Sequence, residues 1–553
     1  MVNKFFTNGK AILLRKQTNI LSAAFVIMAT VFLSRILGLV RDRLLAGSFF
    51  GGREWQLDVY FAAFRLPDMV FQLLVIGAMS AAFIPVFSEY LEKDQKEADY
   101  IASAIINLIL GFFLILGLVI FVFAPFFCGL IAPSFTPEKI DLMVSLTRIM
   151  LFAQIFFCVS NFMTGIIQSH QRFLVPAIAP VIYNLGIIFG IVFLTPSLGI
   201  FGPTLGVVIG ALMHFLIQLP LAFKLGFTYR PFLLDYKHPG VKEIMHLMIP
   251  RTLALAVSQI QLTVDVFLAT SLSAGSLTIF YFAQHLMNLP VGLFGATIGT
   301  AALPTLAQNS VRHENEEFKK TFLASFFQIL FLTLPACAIL LILRIPVVRL
   351  AFGAKNFPWQ ATLLAGKTLA FFSLAIIAQS LIQVLVRGFY ALHNTRLPLI
   401  IGAISVILNV IFNVYLTFTL KMGIFGLALG TSIASVIQAI LLFIYLDKEV
   451  GGFDKKSVFI PFLKMSWATF GTILFLWVPM RFIDKYILDT TKTINLLALT
   501  IIVSLMGLSV YLIIAKILKI EELNIMIGLG RKIGQWRKIL SESDEVIDST
   551  RTP

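Results

Sequence analysis

Apolar stretches of about twenty residues or more recur along the whole chain, separated by short links that hold most of the Lys, Arg, Gly and Pro. A run of that length crosses a bilayer as a helix. Backbone groups in lipid must be bonded internally, so the alternatives are helices or a closed barrel. Barrel strands show alternation over about ten residues. Here the apolar runs are continuous, as from Ile105 to Phe123, and they predict helices. Fourteen spans follow, at 21–47, 58–88, 100–130, 141–168, 174–195, 202–225, 243–271, 276–307, 321–343, 362–391, 397–419, 424–446, 457–481 and 493–518. The fold class expected is an all-α polytopic membrane protein.

An internal repeat divides these spans. Residues 199–206 read GIFGPTLG and residues 423–430 read GIFGLALG, with Gly199, Gly202 and Gly206 matching Gly423, Gly426 and Gly430. AAFIP (81–85) and TAALP (300–304) repeat at a similar distance, and His170 falls near His393 at almost the same one. The repeat distance holds an even number of spans, so the copies share a topology, related by an axis along the membrane normal. The organisation expected is a tail 1–20, a first six-helix lobe 21–225, a second lobe 243–446, two appended helices 457–518 and a tail 519–553. Pro67 and Pro85 in span 2 take places like those of Pro290 and Pro304 in span 8, as kinks or as hinges.

Composition agrees with the pattern. The 553 residues are 58% hydrophobic and 13% charged, and mean hydropathy is +0.92. A net charge of +15 in a soluble protein would point to nucleic acid. In a membrane protein it sets orientation. With the N-terminus inside, the cytoplasmic segments hold roughly 27 Lys and Arg against about 11 outside, as the positive-inside rule requires. Both termini are therefore expected in the cytoplasm, the tail residues Arg531, Lys532, Arg537 and Lys538 lying on the anionic leaflet. Residues 1–20 are basic and lead into an apolar run that lacks an A-x-A site, unlike a cleaved signal peptide. Cys128, Cys158 and Cys337 sit in or beside apolar runs without C-x-x-C spacing and read as packing residues.

Ionisable residues inside spans carry the functional signal, because a mid-membrane Arg costs about 2.5–3.5 kcal/mol on insertion scales. Span 1 reads SRILGLVRDRLLAG, with Arg35, Arg41, Asp42 and Arg43; span 2 begins LDVYFAAFRLPD, with Asp58, Arg65 and Asp68. Arg35 and Asp42, seven apart, share a helical face, and a bend at Gly38 would bring Arg41 to it. Asp42 then pairs with Arg35 or orients Arg41. Arginine forks fit phosphate oxygens, so Arg35, Arg41 and Arg65, with Asp42 and Asp58, form a candidate anion site. The competing reading is snorkelling with internal ion pairing. In the second half, Asp265, Asn409, Asn413 and Thr431 offer the oxygen ligands a hard cation such as Na⁺ prefers. Interhelical hydrogen bonding is the alternative there. His285 in span 8 is a packing residue or a site member. No DxD, HExxH or nucleophile–base pattern marks an enzyme.

SRILGLVRD (34–42), DVYFAAFRLPD (58–68), GAMSAAFIPVFSEYL (77–91) and YFAQHLMNLPVGLFGATIGTAALPTL (281–306) resemble the MurJ (MviN) family of the MOP exporter superfamily. The resemblance covers essentially all fourteen spans. It implies a transporter that flips lipid II, an undecaprenyl-diphosphate-linked muropeptide, across the cytoplasmic membrane for peptidoglycan synthesis. It also implies two lobes in a V, a lipid-tail groove made by the last two helices, no required cofactor, Na⁺ or proton coupling in some members, and a monomer without nucleic-acid partners. The family arginines of span 1 match Arg35 and Arg41, its aspartate Asp42, and its span 2 pair Asp58 and Arg65. Asp265, Asn409, Asn413 and Thr431 resemble the sodium site of some members. The pattern departs at Phe71 and His285, where arginines stand in other members, and at Ile76 and Asn288, where acidic residues stand. Other functions to be weighed are flipping of another undecaprenyl-linked polysaccharide and a non-transporting scaffold for wall assembly.

Overall fold

The structure, a computed structural model, describes residues 20–525 except 77, 78 and 355, and leaves aside the side chains of 20–29, 76, 80, 81, 250, 251 and 254. The expected N-terminal tail, save Ile20, and the C-terminal tail beyond 525 lie outside the described residues.

Each of the fourteen predicted spans coincides with a helical segment: α1 Ile20–Phe49, α2 (54–93), α3 Gln95–Val122, α4 Pro137–Ser169, α5 Leu174–Leu198, α6 Phe201–Lys224, α7 Pro239–Ala269, α8 Ser276–Val311, α9 Asn315–Ile342, α10 Trp359–Ala391, α11 Arg396–Thr419, α12 Ile424–Glu449, α13 Lys455–Tyr486 and α14 Thr493–Ile517. Among the described residues, 11 helices are long and apolar enough to cross a membrane. The chain is a multi-pass all-α membrane protein. Predicted spans 1, 2 and 7 fall on α1, α2 and α7, the last containing a shorter apolar helix, Leu255–Ala269.

Contacts divide the chain into two compact units. One runs to Thr278 and includes Ala351–Pro358; the other holds Ile279–Leu350 and everything from Trp359. The linker segment joins the first through Asn356 Nδ2, which donates to the Gly47 carbonyl at 3.0 Å, and through Phe357, whose ring lies 4.7 Å from that of Phe50. Helix α7, expected with the second group, clusters with the first, and Arg65 of α2 binds it, as described below.

Within the first unit α6 packs between α4 and α5, and in the second α12 packs between α10 and α11. The repeated GIFG motifs occupy the same place in each. Gly199 (φ 57, ψ −131) and Gly423 (φ 58, ψ −133) adopt the same conformation, one closed to L side chains. Each follows a π-helical turn, Gly190–Leu194 and Tyr415–Thr419. The histidine match is different. The left-handed residues ending α4 and α10 are Gln171 (φ 58) and His393 (φ 56), so His393 is equivalent to Gln171 rather than to His170. Close approach explains another glycine: a Cβ on Gly186 would lie 2.4 Å from Gly210 Cα, so α5 and α6 touch backbone to backbone.

The spans with paired prolines also behave alike. In α2, π-helical turns occupy Gln72–Ile76, after Pro67, and Met79–Phe83, before Pro85; in α8 one occupies Val291–Ala296, directly after Pro290. Proline removes the donor to the carbonyl four residues back. For Pro67 that carbonyl is Ala63, and Thr147 Oγ1 of α4 donates to it at 3.2 Å. For Pro125, just past α3, it is Phe121, and Arg148 Nε donates to it at 3.0 Å while its guanidinium lies over the Phe121 ring. Arg148 thus closes a helix break. The second unit has a phenylalanine-rich core in which Phe322, Phe326, Phe331 and Phe389 are buried and Phe322 stacks on Phe453 at 5.5 Å.

Candidate functional site

Helix α1 runs unbroken through Gly38 and places its charges along one unit. Arg41 does not share a partner with Arg35. Its Nε and Nη2 donate to Asp42 Oδ1 at 2.9 and 2.8 Å, and its Nη1 donates to Asn184 Oδ1 of α5 at 3.3 Å. The Asn184 amide in turn donates to Ser34 Oγ at 3.1 Å and to the Ser34 and Pro180 carbonyls. Asp42 is 2% exposed and the Arg41 side chain 20%. Of five guanidinium N–H groups, three are engaged and two remain for a ligand. Of the two roles foreseen for Asp42, the one seen is orientation of Arg41. Arg35 is half-buried and, among the described residues, makes no hydrogen bond or ion pair.

Arg65 is 4% exposed and turned toward α7. Its Nε donates to Thr263 Oγ1 at 2.9 Å; its Nη2 donates to the Gln259 carbonyl at 2.9 Å and also to the Gln259 side-chain oxygen. Asp68 lies 3.9 Å from Nη1. A planar fork spanning two acceptors on one helix face is what arginine supplies and lysine does not. Asp58, also buried, accepts from the backbone N–H of Gly275 (2.5 Å) and Thr278 (2.9 Å) and from the Thr278 hydroxyl (2.7 Å). It satisfies donors of the turn that opens at Ser276, which have no intrahelical acceptor. In this conformation Arg65 and Asp58 hold the first unit together, and neither faces open space.

Where the resemblance anticipates a further arginine, Phe71 is buried against Phe157, ring centroids 5.8 Å apart. Phe157 also meets Tyr183 at 4.8 Å and His214 at 5.2 Å. An aromatic cluster thus fills the place of the missing charge. His214 belongs to a buried polar knot that sequence reasoning passed over. Ser160 Oγ and His214 Nδ1 are 2.7 Å apart, Gln218 Nε2 donates to Ser160 Oγ at 2.8 Å, and Thr164 Oγ1 donates to Gln218 Oε1 at 2.7 Å. The knot ties α4 to α6.

In the second unit Asn409, Asn413 and Thr431 come together. Asn413 Nδ2 donates to Asn409 Oδ1 (3.1 Å), Asn409 Nδ2 to Thr431 Oγ1 (3.2 Å), and Thr431 Oγ1 to the Leu427 carbonyl (2.9 Å). The Asn409 and Thr431 oxygens are used within this relay. The bond from Asn409 to Thr431 joins α11 to α12, as the hydrogen-bonding alternative expected. Asp265, 2% exposed, belongs to the first unit. Among the described residues no three His, Cys, Asp or Glu side chains cluster as metal ligands. His285 is half-buried in the second unit, its ring 6.3 Å from that of Tyr281.

A family profile described as "Lipid II flippase MurJ" matches residues 48–518. Probable lipid II flippases MurJ of Thermotoga maritima and Vibrio cholerae are each 31% identical to the chain. The first aligns over 501 residues, 90% of this chain and 97% of the relative; the second over 473 residues, 83% and 89%. The lipid II flippase MurJ of Burkholderia cenocepacia is 28% identical over 440 residues, 78% of this chain and 84% of the relative. A solved lipid II flippase MurJ in an inward closed conformation superposes with a TM-score of 0.74 at 28% identity, covering 89% of this chain and 98% of that one. A multidrug resistance MATE transporter of the MOP superfamily, inward-facing, gives 0.64 at 14% identity over 77% of this chain and 98% of that one, a likeness of fold alone.

Proposed function

The chain belongs to the lipid II flippase MurJ family, and from that premise we propose that it moves lipid II from the inner to the outer leaflet of the bacterial cytoplasmic membrane, its termini in the cytoplasm. It is a transporter, not an enzyme, and its place is in peptidoglycan synthesis. The observation that carries the substrate site is the contrast between the two arginines of α1. Arg41 is oriented by Asp42 and Asn184 and keeps two donors unspent; Arg35 is uncommitted among the described residues. Charged oxygens of a diphosphate suit both. A pre-oriented fork loses less rotamer freedom on binding than a free one, so Arg41 is the anchor and Arg35 the residue that moves to meet the ligand.

The cycle is alternating access. Arg65 and Asp58 brace the first group, the π-helical turns beside Pro67, Pro85 and Pro290 are the points of yield of the cycle, and the exposed faces of α13 and α14 receive the lipid tail. Membrane potential biases the cycle, at about 2.3 kcal/mol per charge per 100 mV.

The test is complementation of a bacterium depleted of its own lipid II flippase, with Arg35→Ala and Arg41→Ala expressed at matched membrane levels. Rescue by the parent and failure of both variants is expected. Failure of the parent, with proper membrane insertion, would direct attention to another undecaprenyl-linked head group, with Phe71 and His285 as the altered positions.

A further inference from the structure

The link between α6 and α7, residues 226–238, reads GFTYRPFLLDYKH and is fastened along the first turns of α3. Thr228 N donates to Asp99 Oδ2 at 3.0 Å, Arg230 N to Ser103 Oγ at 3.0 Å, and Tyr100 OH to Asp235 Oδ2 at 3.0 Å. Asn107 Nδ2 donates to the carbonyls of Arg230 at 2.8 Å and Leu233 at 3.2 Å. Asn107 lies two residues into the apolar run that starts at Ile105. These bonds therefore hold the middle of the link beside the start of that apolar run.

The side chains at that place are large, apolar and turned outward. Phe232 is 93% exposed, Leu234 61% and Tyr236 64%, while Phe227 is buried beneath the link. Phe232 has φ 59. A bulky non-glycine residue in that region is rare and strained, and such strain persists only where the surroundings impose it. Here the result is to direct an aromatic ring away from the protein. Around the apolar residues stand exposed cations: Arg230, over the Tyr100 ring at 5.5 Å, Lys237, over Tyr236 at 5.8 Å, and Lys224 and Lys242 at the flanking helix ends. Aromatic rings among lysines and arginines suit the boundary between head groups and acyl chains, and each basic residue near an anionic surface adds to the attraction.

We propose that residues 226–238 form a preformed interfacial anchor that seats Phe232, Leu234 and Tyr236 at the acyl boundary of an anionic leaflet. The anchor is distinct from the arginine site of α1 and stands whichever lipid is transported. Its rigidity separates it from an ordinary loop, because the ordering is supplied by α3 before the membrane is met. It fixes the depth of α3, α6 and α7 at one bilayer face.

The experiment places a nitroxide at Leu234→Cys, with Phe232 intact and Cys128, Cys158 and Cys337 changed to Ala, in the full chain in phosphatidylcholine vesicles with and without phosphatidylglycerol. Collisions with oxygen and with a water-soluble nickel chelate report depth; Arg312→Cys in a polar link is the reference. The label at 234 is expected to favour oxygen several-fold over the reference and to move deeper with phosphatidylglycerol. Phe232→Ser, and separately Arg230→Glu with Lys237→Glu, should bring it back toward water. Nickel access equal to that at 312 overturns the proposal. So does shielding from both reagents, which would mean that protein covers the link, and so does a depth indifferent to phosphatidylglycerol.

Discussion

The Arg65 guanidinium, on α2, donates to the Gln259 carbonyl on α7 at 2.9 Å and to the side-chain oxygen of the same residue. The two residues are 194 positions apart. A buried arginine is tolerable only with its charge and donors matched. The pairing therefore makes α7 part of the first unit and gives Arg65 a bracing role. Gln259→Leu removes the side-chain acceptor of one buried guanidinium N–H, and a loss of about 1–3 kcal/mol is expected. Arg65→Met with Gln259→Leu should be less destabilised than either change predicts by addition. Thermal unfolding of the four purified proteins in one detergent measures this cycle. Strict additivity would mean that the contact carries no stability.

Asp58 makes a separate prediction. It accepts three hydrogen bonds at the turn entering α8, and Asn keeps an acceptor oxygen where Ala keeps none. Asp58→Ala should lose about 0.5–2 kcal/mol, as helix N-caps do, and Asp58→Asn less. Complementation by Asp58→Asn at matched membrane levels should persist if Asp58 is a cap; loss of function with unchanged thermal stability would return it to the ligand site.

The helices were legible in the sequence because bilayer crossing imposes both length and continuity on apolar runs. Charges within those runs were legible for the related reason that lipid penalises them, and Arg41 with Asp42 is a pair that local spacing exposes. Arg65 and Asp58 stood out as buried charges, but not as braces. Their partners Gln259, Thr263 and Thr278 are uncharged residues common in membrane helices, brought near by packing across about two hundred positions. The same limit hid Asn184 and the His214 knot. Proline-opened carbonyls were a usable signal that reading charge alone overlooked: Thr147 and Arg148, adjacent in α4, each answer one.

Acid should loosen the 226–238 link at a definable point. Asp235 accepts from Lys237 N (2.9 Å), from Tyr100 OH (3.0 Å) and from His238 N (3.2 Å), and these bonds hold its carboxyl below the usual aspartate value. A carboxyl depressed in the folded state contributes fully above its unfolded value of about 3.9 and loses that contribution as pH falls through the folded value. Mobility of the nitroxide at Leu234→Cys should rise as pH falls through the folded value of Asp235, below about 4. Asp235→Ala, which keeps no acceptor, should be mobile throughout and lose most of that rise.

Packing of α5 on α6 sets a steric limit. A Cβ on Gly186 meets Gly210 Cα at 2.4 Å, backbone against backbone, so no side chain can swing away to make room. Gly186→Ala should therefore lower thermal stability by about 1–3 kcal/mol, the usual range for overpacking, despite alanine's better helix propensity. Gly38→Ala, where nothing lies within 4 Å, should be neutral or stabilising by comparison.

Arg148 offers a test of how the α3 break is maintained. Pro125 has no N–H to give the Phe121 carbonyl, and Arg148 Nε supplies the donor at 3.0 Å. Arg148→Met removes that donor and should lose about 1 kcal/mol, the net worth of one hydrogen bond, together with part of its stacking on Phe121. Pro125→Ala restores a backbone N–H four residues after Phe121. If the missing donor is the cause, Arg148→Met should be better tolerated with Ala at 125 than with Pro, a coupling that thermal unfolding of the two single variants and the double variant will show. If Arg148 instead acts as a mobile charge in transport, Arg148→Met will fail in complementation with its stability intact, and Pro125→Ala will not restore it. The 3.0 Å bond to a carbonyl that proline leaves open favours the first outcome.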